Sequence, residues 1–299
     1  MATIEVAGLV KTYAGVNAVD GVSFVVKEGE FFGLLGPNGA GKTTTLEIIE
    51  GLREPDAGTV SLLGMKPWPR NAALLPRIGV QLQASAFFEQ LTASEQLETF
   101  VDLYDQPRTR VSELLEMVGL TDKAGTRAEK LSGGQAQRLS IACSLVHDPD
   151  VVFLDEPTAA LDPQARRNLW DVLREINDRG KTVVLTTHSM EEAETLCDRV
   201  AIIDGGKILK TGTPADLIRE LDAPVRIAVE RSALDSDAAR ALPGADSVEV
   251  DGSSTIVITR TPAPVLSALA ERDALAGLQV RGATLEDVFL QLTGREYRA

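Results

Sequence analysis

The segment GPNGAGKTT, residues 36–44, constrains the fold of this chain more than any other stretch. It fits the pattern G-x-x-x-x-G-K-[ST], in which glycines let backbone N–H groups approach phosphate oxygens. The lysine then supplies a point charge to the phosphates, and the hydroxyl after it can ligate Mg²⁺. The loop lies between an apolar run, FFGLL, and a segment of helical character. This context predicts a phosphate site and argues against a plain glycine-rich turn.

Apolar runs of strand length alternate with helical periodicity along the first 220 residues. VVFLDEP, residues 151–157, is a continuous apolar run, which is typical of a strand covered on both faces. Residues 92–147 are mostly helical in pattern, and PQARRNLWDVLREINDRG, which begins at Pro163, predicts another helix. Strands that alternate with helices predict an α/β fold with a mostly parallel core sheet.

The composition changes near Leu221–Pro224, since Lys210 is the last lysine and every later cation is arginine. VRIAVE, DSVEVDG and STIVITR alternate like antiparallel strands, with a hairpin turn at Asp251–Gly252. PAPVLSALAERDALAGL and ATLEDVFLQLTG are helical in pattern. We therefore predict a nucleotide-binding domain over residues 1–221 and a small accessory α+β domain over residues 222–299.

Charge and composition restrict the class of protein. The net charge of -14 argues against a nucleic-acid partner, because phosphate contacts need clustered lysine and arginine. Cys143 and Cys197 have neither metal nor redox spacing, so both are expected in the core. We see no signal peptide and no run of about 20 apolar residues. The chain is expected to be soluble by itself, so a function at the membrane would need a partner protein.

Polar residues follow two of the predicted strands. Asp155 is placed to hold Mg²⁺, and Glu156 to polarise a water molecule; the alternative is that the pair caps the next helix. His188 follows the strand TVVLTT, where it would reach a phosphate from a neighbouring strand end or serve as an ordinary turn residue. His147 is interpreted as a helix-end residue that is favourable there as a cation.

The segment LSGGQ, residues 131–135, predicts a second anion site. Small residues run directly into an amphipathic helix, and a helix start with free N–H groups binds anions. One chain thus carries two phosphate-type sites that lie far apart in sequence.

These motifs together, in this order, resemble the nucleotide-binding subunit of ATP-binding cassette (ABC) transporters across residues 1–221. GPNGAGKTT resembles the Walker A loop, LSGGQ the signature motif, VVFLDEP Walker B, AALD (Ala159–Asp162) the D-loop, and His188 the switch histidine. The resemblance implies a P-loop ATPase fold with a parallel sheet, an antiparallel β subdomain and a helical subdomain. It also implies that Gln83 senses Mg²⁺ and the attacking water, with Gln81 as a neighbouring alternative. The implied ATP contacts are Tyr13, which stacks on adenine, with Gly36, Pro37, Asn38, Gly39, Ala40, Gly41, Lys42, Thr43, Thr44, Ser132, Gly133, Gly134, Gln135 and Asp162.

The family resemblance implies a mechanism as well. Two subunits pack head to tail, so that Ser132, Gly133 and Gly134 of one chain cap the ATP held by the other. Lys42, Glu156, His188 and Gln83 would be catalytic, and Thr43, Asp155 and Gln83 would bind Mg²⁺. Separate polytopic membrane subunits would hold the dimer at the cytoplasmic face of the membrane.

The tail, GATLEDVFLQLTGREYRA, resembles the C-terminal segment of daunorubicin-resistance type drug-export ATPases. It implies export of drugs or other hydrophobic compounds. The same tail is compatible with an importer ATPase that carries a regulatory domain. A soluble ABC ATPase of translation or DNA repair is the third alternative, although those classes usually carry two cassettes, coiled-coil insertions or zinc cysteines.

Phe87 and Phe88, which follow the Gln83 segment, either help to form a dock for the membrane partner or fill the core.

Overall fold

The computed structural model describes residues 2–81, 87–159 and 161–294. The chain divides into two compact units, residues 1–214 and residues 215–299. The strands of the first unit are β1 (Ala2–Tyr13), β2 (Val16–Lys27), β3 (Phe31–Leu35), β4 (Ala57–Leu62), β5 (Ile78–Gln81), β6 (Val151–Asp155), β7 (Thr182–Thr187), β8 (Arg199–Asp204) and β9 (Lys207–Gly212). Its helices are α1 (Lys42–Ile49), α2 (Ala93–Leu103), α3 (Thr109–Met117), α4 (Gly133–Ser144), α5 (Pro163–Asp178) and α6 (Met190–Leu196).

The core sheet of the first unit has the strand order β5-β6-β7-β3-β8-β9. Neighbouring strands from β5 to β8 run parallel, and β9 closes the edge antiparallel to β8. Every residue of β3, β6 and β7 is buried, as expected for a parallel sheet covered on both faces. The predicted mostly parallel core is therefore confirmed.

A second sheet, β2-β1-β4, is antiparallel and shares a hydrophobic core with α1 and the parallel sheet. The rings of Phe24 and Phe32 stack across this core at 5.1 Å between centroids. Alternating burial along β2 shows that this sheet presents one face to the core. This core fixes α1, and with it the phosphate loop, against the strand ends.

The helical subdomain contains α2, α3 and α4. Thr92 begins α2 and Ser132 begins α4, each through a capping box with the residue three positions later. Leu97 of α2, Leu114 of α3 and Leu139 of α4 are fully buried. The predicted combination of a parallel sheet, an antiparallel β subdomain and a helical subdomain is confirmed.

Cys143 and Cys197 are free and buried, as the sequence predicts. Among the described residues, no helix combines the length and the apolar character that a membrane crossing requires.

The elements from residue 214 onward are α7 (Pro214–Glu220), β10 (Val225–Glu230), α8 (Ser236–Arg240), β11 (Ser247–Asp251), β12 (Ser254–Thr259), α9 (Pro262–Glu271), β13 (Gln279–Arg281) and α10 (Leu285–Thr293). The second unit contains a four-stranded antiparallel sheet of order β11-β12-β10-β13. Its core includes Ile227, Val257 and Leu269, all fully buried. The predicted hairpin at Asp251–Gly252 joins β11 to β12.

Candidate nucleotide-binding site

The carboxyl ends of three adjacent parallel strands form the site. β7 lies between β6 and β3, and its Thr186 pairs with Asp155 while Thr187 pairs with Leu35. The phosphate loop leaves β3, the Asp155–Glu156 pair ends β6, and His188 follows β7. Neighbouring strand ends therefore bring together residues that lie more than 100 positions apart in sequence, at the edge where α/β sheets bind ligands.

Two glycines of the phosphate loop approach other backbone segments closely. A Cβ atom on Gly36 would lie 2.1 Å from the carbonyl oxygen of Ile203. Gly41, with φ +99°, precedes α1, and a Cβ atom there would lie 2.2 Å from the carbonyl oxygen of Ala18. No other residue type fits at either position without moving the backbone.

Lys42 folds back over the loop. Its ammonium donates to the carbonyl oxygens of Gly36 at 2.9 Å and Pro37 at 3.1 Å. The side chain is 4% exposed, so a buried cation lies inside the ring of the loop. The first N–H groups of α1 have no partner within the helix and carry the positive end of its dipole. The loop and helix start therefore form an anion site of the kind that binds phosphate.

Thr43 and Asp155 provide oxygen ligands suited to Mg²⁺. The Thr43 hydroxyl lies 3.1 and 3.2 Å from the two Asp155 carboxylate oxygens, although 112 residues separate them. Mg²⁺ prefers oxygen ligands and is usually held by one or two protein groups, phosphate oxygens and water. Among the residues that the structure describes, no cluster of three or more histidine, cysteine or acidic side chains forms a metal site alone. The residues present fit Mg²⁺ bound together with a nucleotide.

Glu156 lies between two cationic or potentially cationic groups. Its Oε1 is 3.0 Å from the Lys42 ammonium, and its Oε2 is 3.3 Å from Nδ1 of His188, without hydrogen-bond geometry for the histidine contact. Its backbone has φ +46°, a left-handed conformation that is uncommon for a residue with a side chain. The side chain of His188 is 44% exposed, so it can approach a bound group from solvent.

The alternative that Asp155 and Glu156 cap the next helix is wrong. Asp162 caps α5 instead, accepting from the N–H groups of Gln164 at 3.0 Å and Ala165 at 2.8 Å. The role of Asp162 as a D-loop residue that contacts ATP stays a prediction.

Thr186 is a site residue that the sequence analysis missed. Its hydroxyl donates to Asp155 Oδ1 at 2.5 Å and accepts from the N–H of Glu156 at 3.0 Å. The side chain is fully buried in β7. Thr186 therefore holds the carboxylate of Asp155 and the backbone of Glu156, and its position directly before Thr187 and His188 is the signal that could have revealed it.

The signature residues form the exposed start of α4. The Ser132 hydroxyl accepts from the N–H of Gln135 at 3.3 Å, and the Ser132 N–H donates to the Gln135 side chain at 3.0 Å. These hydrogen bonds stay within the first turn of the helix. A Cβ on Gly134 would approach Ala165 at 3.1 Å, so this helix start packs near the start of α5.

Tyr13 ends β1 and is 39% exposed. The guanidinium of Arg53 lies 5.4 Å from its ring centroid and the ammonium of Lys11 lies 5.8 Å from it. The ring is accessible for stacking, and the stacking of Tyr13 on adenine stays a prediction. Gln83 lies outside the described residues.

The interpretation of His147 as a favourable helix-end cation is wrong. The residue is half-buried, and burial lowers the pKa of its imidazole, which favours the neutral form. Its Nε2 lies 2.9 Å from the carbonyl oxygen of Ile78, and its ring stacks on Tyr104 with centroids 4.1 Å apart.

Comparison with known proteins gives consistent results along the whole chain. The sequence profile described as ABC transporter matches residues 19–159. The profile described as Nodulation factor export protein NodI, C-terminal domain, matches residues 232–294. The chain is 45% identical to the Nod factor export ATP-binding protein I of Ralstonia nicotianae, a match that covers 99% of this chain and 95% of that protein.

Two solved structures extend the comparison to three dimensions. One is a dimeric ATP-binding cassette in a post-hydrolysis state bound to ADP and Pi, with 31% identity, a TM-score of 0.64, and coverage of 70% of this chain and 98% of that one. The other is CbiO1 from Clostridium perfringens, described as part of the ABC transporter complex CbiONQ, with 28% identity, a TM-score of 0.66, and coverage of 74% and 94%. On this agreement of sequence, fold and site geometry, the chain belongs to the ATP-binding subunits, which are ATPases, of the ABC transporter family.

Proposed function

We propose that this chain hydrolyses Mg²⁺-ATP to drive export through separate membrane subunits. The observation that carries the proposal is the convergence of Lys42, Thr43, Asp155, Glu156 and His188 at the carboxyl ends of β3, β6 and β7. Matches that span nearly the whole chain to proteins named as export ATP-binding proteins support the direction of transport. They favour export over the importer and the soluble alternatives.

The proposed chemistry is in-line attack of water on the γ-phosphate. Lys42 and the N–H groups at the start of α1 bind the phosphates, while Thr43 and Asp155 would hold Mg²⁺, which supplies charge neutralisation when bound. Glu156 orients or deprotonates the water, and His188 stabilises the charge that develops. The roles of Gln83 and of Tyr13 at adenine are proposed on the family resemblance. In such a site, catalysis comes mainly from positioning and electrostatics.

We propose further that two copies assemble head to tail. The exposed start of α4 carries Ser132 and Gly133, whose donors would complete the ATP site of the second copy. The dimeric cassette among the similar structures supports this arrangement. ATP then holds the dimer closed, and loss of the γ-phosphate shifts the population towards the open state.

The proposed location is the cytoplasmic face of the membrane, through the membrane subunits. Phe88 is 61% exposed, and Phe87 lines a cavity between α1, β5 and the helical subdomain. Both are proposed to help form the dock for the membrane subunit. For the cargo, the relatives' names favour an exported factor of the Nod type over a drug.

Glu156→Gln tests the core of the proposal. The amide keeps the shape of the side chain but cannot act as a base, so hydrolysis should slow by about 100-fold or more while ATP still binds. Gel filtration with Mg²⁺-ATP should show a stable dimer for the variant. Wild-type turnover by Glu156→Gln would remove this residue from its proposed role.

A further inference from the structure

A cavity of about 390 Å³ opens beside α1, β5 and the helical subdomain. Most of its lining is apolar or aromatic, including Leu52, Phe87, Phe100 and Tyr104. Glu50, the residue that ends α1, also lines it. An acidic side chain in such a lining needs a physical explanation.

The carboxyl group of Glu50 has no hydrogen-bond partner within the part of the chain that the structure describes. The residue is 6% exposed, and both of its carboxyl oxygens are shielded from solvent. Burying a carboxyl group without a partner costs free energy, so a residue of this kind indicates a binding role that the isolated chain does not fulfil. Its location at the cavity identifies where the partner would come from.

A second acceptor without a partner lines the same cavity. Because Nε2 of His147 lies 2.9 Å from the carbonyl oxygen of Ile78, Nε2 carries the hydrogen and Nδ1 is an acceptor. Nδ1 is buried and has no hydrogen-bond partner among the described residues. A carboxyl group and a histidine nitrogen without partners, together with several aromatic rings, favour an occupant that brings several N–H donors and a positive charge.

We propose that this cavity binds a cationic side chain, arginine or lysine, carried on an apolar segment of the membrane subunit, and that Glu50 is its counter-ion. The inference rests on the proposed function, which supplies the membrane subunit as partner. Cytoplasmic loops of membrane proteins carry an excess of lysine and arginine, so the required chemistry is present at that face. Arginine offers five N–H donors and stacks on aromatic rings, which matches the lining best.

The electrostatics of Glu50 agree with this role. Burial, followed by the charges of Asp155 and Glu47, raises the pKa of Glu50 to about 8. The carboxyl is therefore mostly protonated at neutral pH in the free chain, which explains how it remains buried. A cation in the cavity would supply the charge that the ionised form lacks.

Arg70 is the internal alternative. It lines the cavity as well, but it is exposed and makes no ion pair with Glu50 in the described part of the chain. If Arg70 were the true counter-ion, Arg70→Gln would reproduce the effect of Glu50→Gln. This gives the experiment an internal comparison.

The experiment uses the full chain and the polytopic membrane subunit that co-purifies with it, reconstituted in lipid nanodiscs. Binding of the labelled chain is titrated, and Glu50→Gln should weaken it about tenfold or more, as expected for loss of a buried charge pair. Glu54→Gln, the same charge change at an exposed position four residues later, should bind like the wild type. Thermal unfolding verifies that Glu50→Gln is folded, and Glu50→Met provides the same comparison if the amide is poorly tolerated.

Each lysine and arginine in the cytoplasmic loops of the membrane protein is then replaced singly, lysine by methionine and arginine by glutamine. One replacement should weaken binding as Glu50→Gln does and add no further loss when the two are combined. Unchanged binding by Glu50→Gln, additive losses with every cation, or an equal loss from Arg70→Gln would each overturn the inference. If the wild-type chain itself does not bind the membrane protein, the proposed function fails as well, so the two failures are distinguishable.

Discussion

At the scale of single residues, the Thr186 hydroxyl should affect the rate of ATP hydrolysis through its hydrogen bonds to Asp155 and to the backbone of Glu156. Thr186→Val removes its hydroxyl, and with it one hydrogen bond that Asp155 accepts and one that the N–H of Glu156 donates. The Thr43 hydroxyl and the carbonyl oxygen of Thr186 remain as their other partners. Losing such contacts costs about 1–3 kcal/mol, and each 1.4 kcal/mol is a factor of ten. We expect kcat to fall about 10- to 100-fold in steady-state ATPase assays, with recovery in Thr186→Ser.

Thr182→Val provides the matched control for that experiment. Thr182 is buried at the opposite end of β7, where its hydroxyl accepts from the N–H of Gly29 at 3.0 Å. The same substitution should therefore lower stability without lowering kcat. Equal losses of kcat in both variants would mean that Thr186 contributes to folding rather than to the site.

Glu50 gives a prediction for the pH dependence of stability. Its folded-state pKa of about 8 lies above the ordinary value of 4.5, so its stabilising contribution is full below pH 4.5 and disappears as the pH rises to about 8. The loss reaches about 3 kcal/mol at pH 7. Denaturant unfolding should show that the stability of Glu50→Gln relative to the wild type increases by about that amount between pH 4 and pH 7. An equal difference at both pH values would contradict the raised pKa.

The sequence predicted the residues whose spacing is fixed by chemistry, and missed those whose role depends on packing. Lys42, Asp155 and His188 stand in motifs, and the structure brings them to one place. Thr186 is β-branched and fits any strand, so its pattern does not reveal that it bonds to the carboxylate of Asp155 and the backbone of Glu156. The carboxyl group of Glu50 lacks a partner because of the residues that surround the end of α1. Sequence periodicity does not show those surroundings.

At the scale of elements, the turn from β3 into α1 depends on Gly41 more than on Gly39. Both have positive φ, but a Cβ on Gly41 would lie 2.2 Å from the carbonyl oxygen of Ala18, whereas a Cβ on Gly39 meets no atom within 4 Å. Gly41→Ala should therefore cost well over 2 kcal/mol and abolish nucleotide binding, while Gly39→Ala costs about 1–2 kcal/mol. Denaturant unfolding and fluorescent-nucleotide titration measure both; equal losses would show that φ alone matters.

Long elements were easier to predict than short ones. The predicted helices at α4 and α5 and the continuous apolar strand β6 are present, because their patterns extend over whole elements. The predicted helix over PAPVLSALAERDALAGL ends at Glu271, since Asp273 and Gly277 adopt positive φ and β13 follows. The five-residue α8 and the three-residue β13 were not predicted, because neither contains two full periods of its pattern.

At the scale of the whole molecule, the separation of the two anion sites in the sequence leads to the proposal of a head-to-tail dimer. Lys42 is bound within its own loop and to Glu156, while the hydrogen bonds of Ser132 go to Gln135. If Ser132 acts in the second copy, each ATP site combines Lys42 of one chain with Ser132 of the other. Mixed dimers of differently tagged chains separate this arrangement from a signature that acts within its own chain.

In the first mixed dimer, one chain carries Lys42→Ala and the other carries Ser132→Arg, so both lesions fall in one composite site and the second site is intact. In the other dimer, one chain carries both lesions, so each site contains one lesion. With Glu156→Gln in all chains to prevent turnover, the first dimer should retain more nucleotide under Mg²⁺-ATP, because the arginine at position 132 obstructs closure over the γ-phosphate. A signature that acts within its own chain predicts the reverse order, since the undamaged chain would be self-sufficient. Greater retention by the dimer with both lesions on one chain would therefore exclude the head-to-tail assembly, whatever the two anion sites do separately.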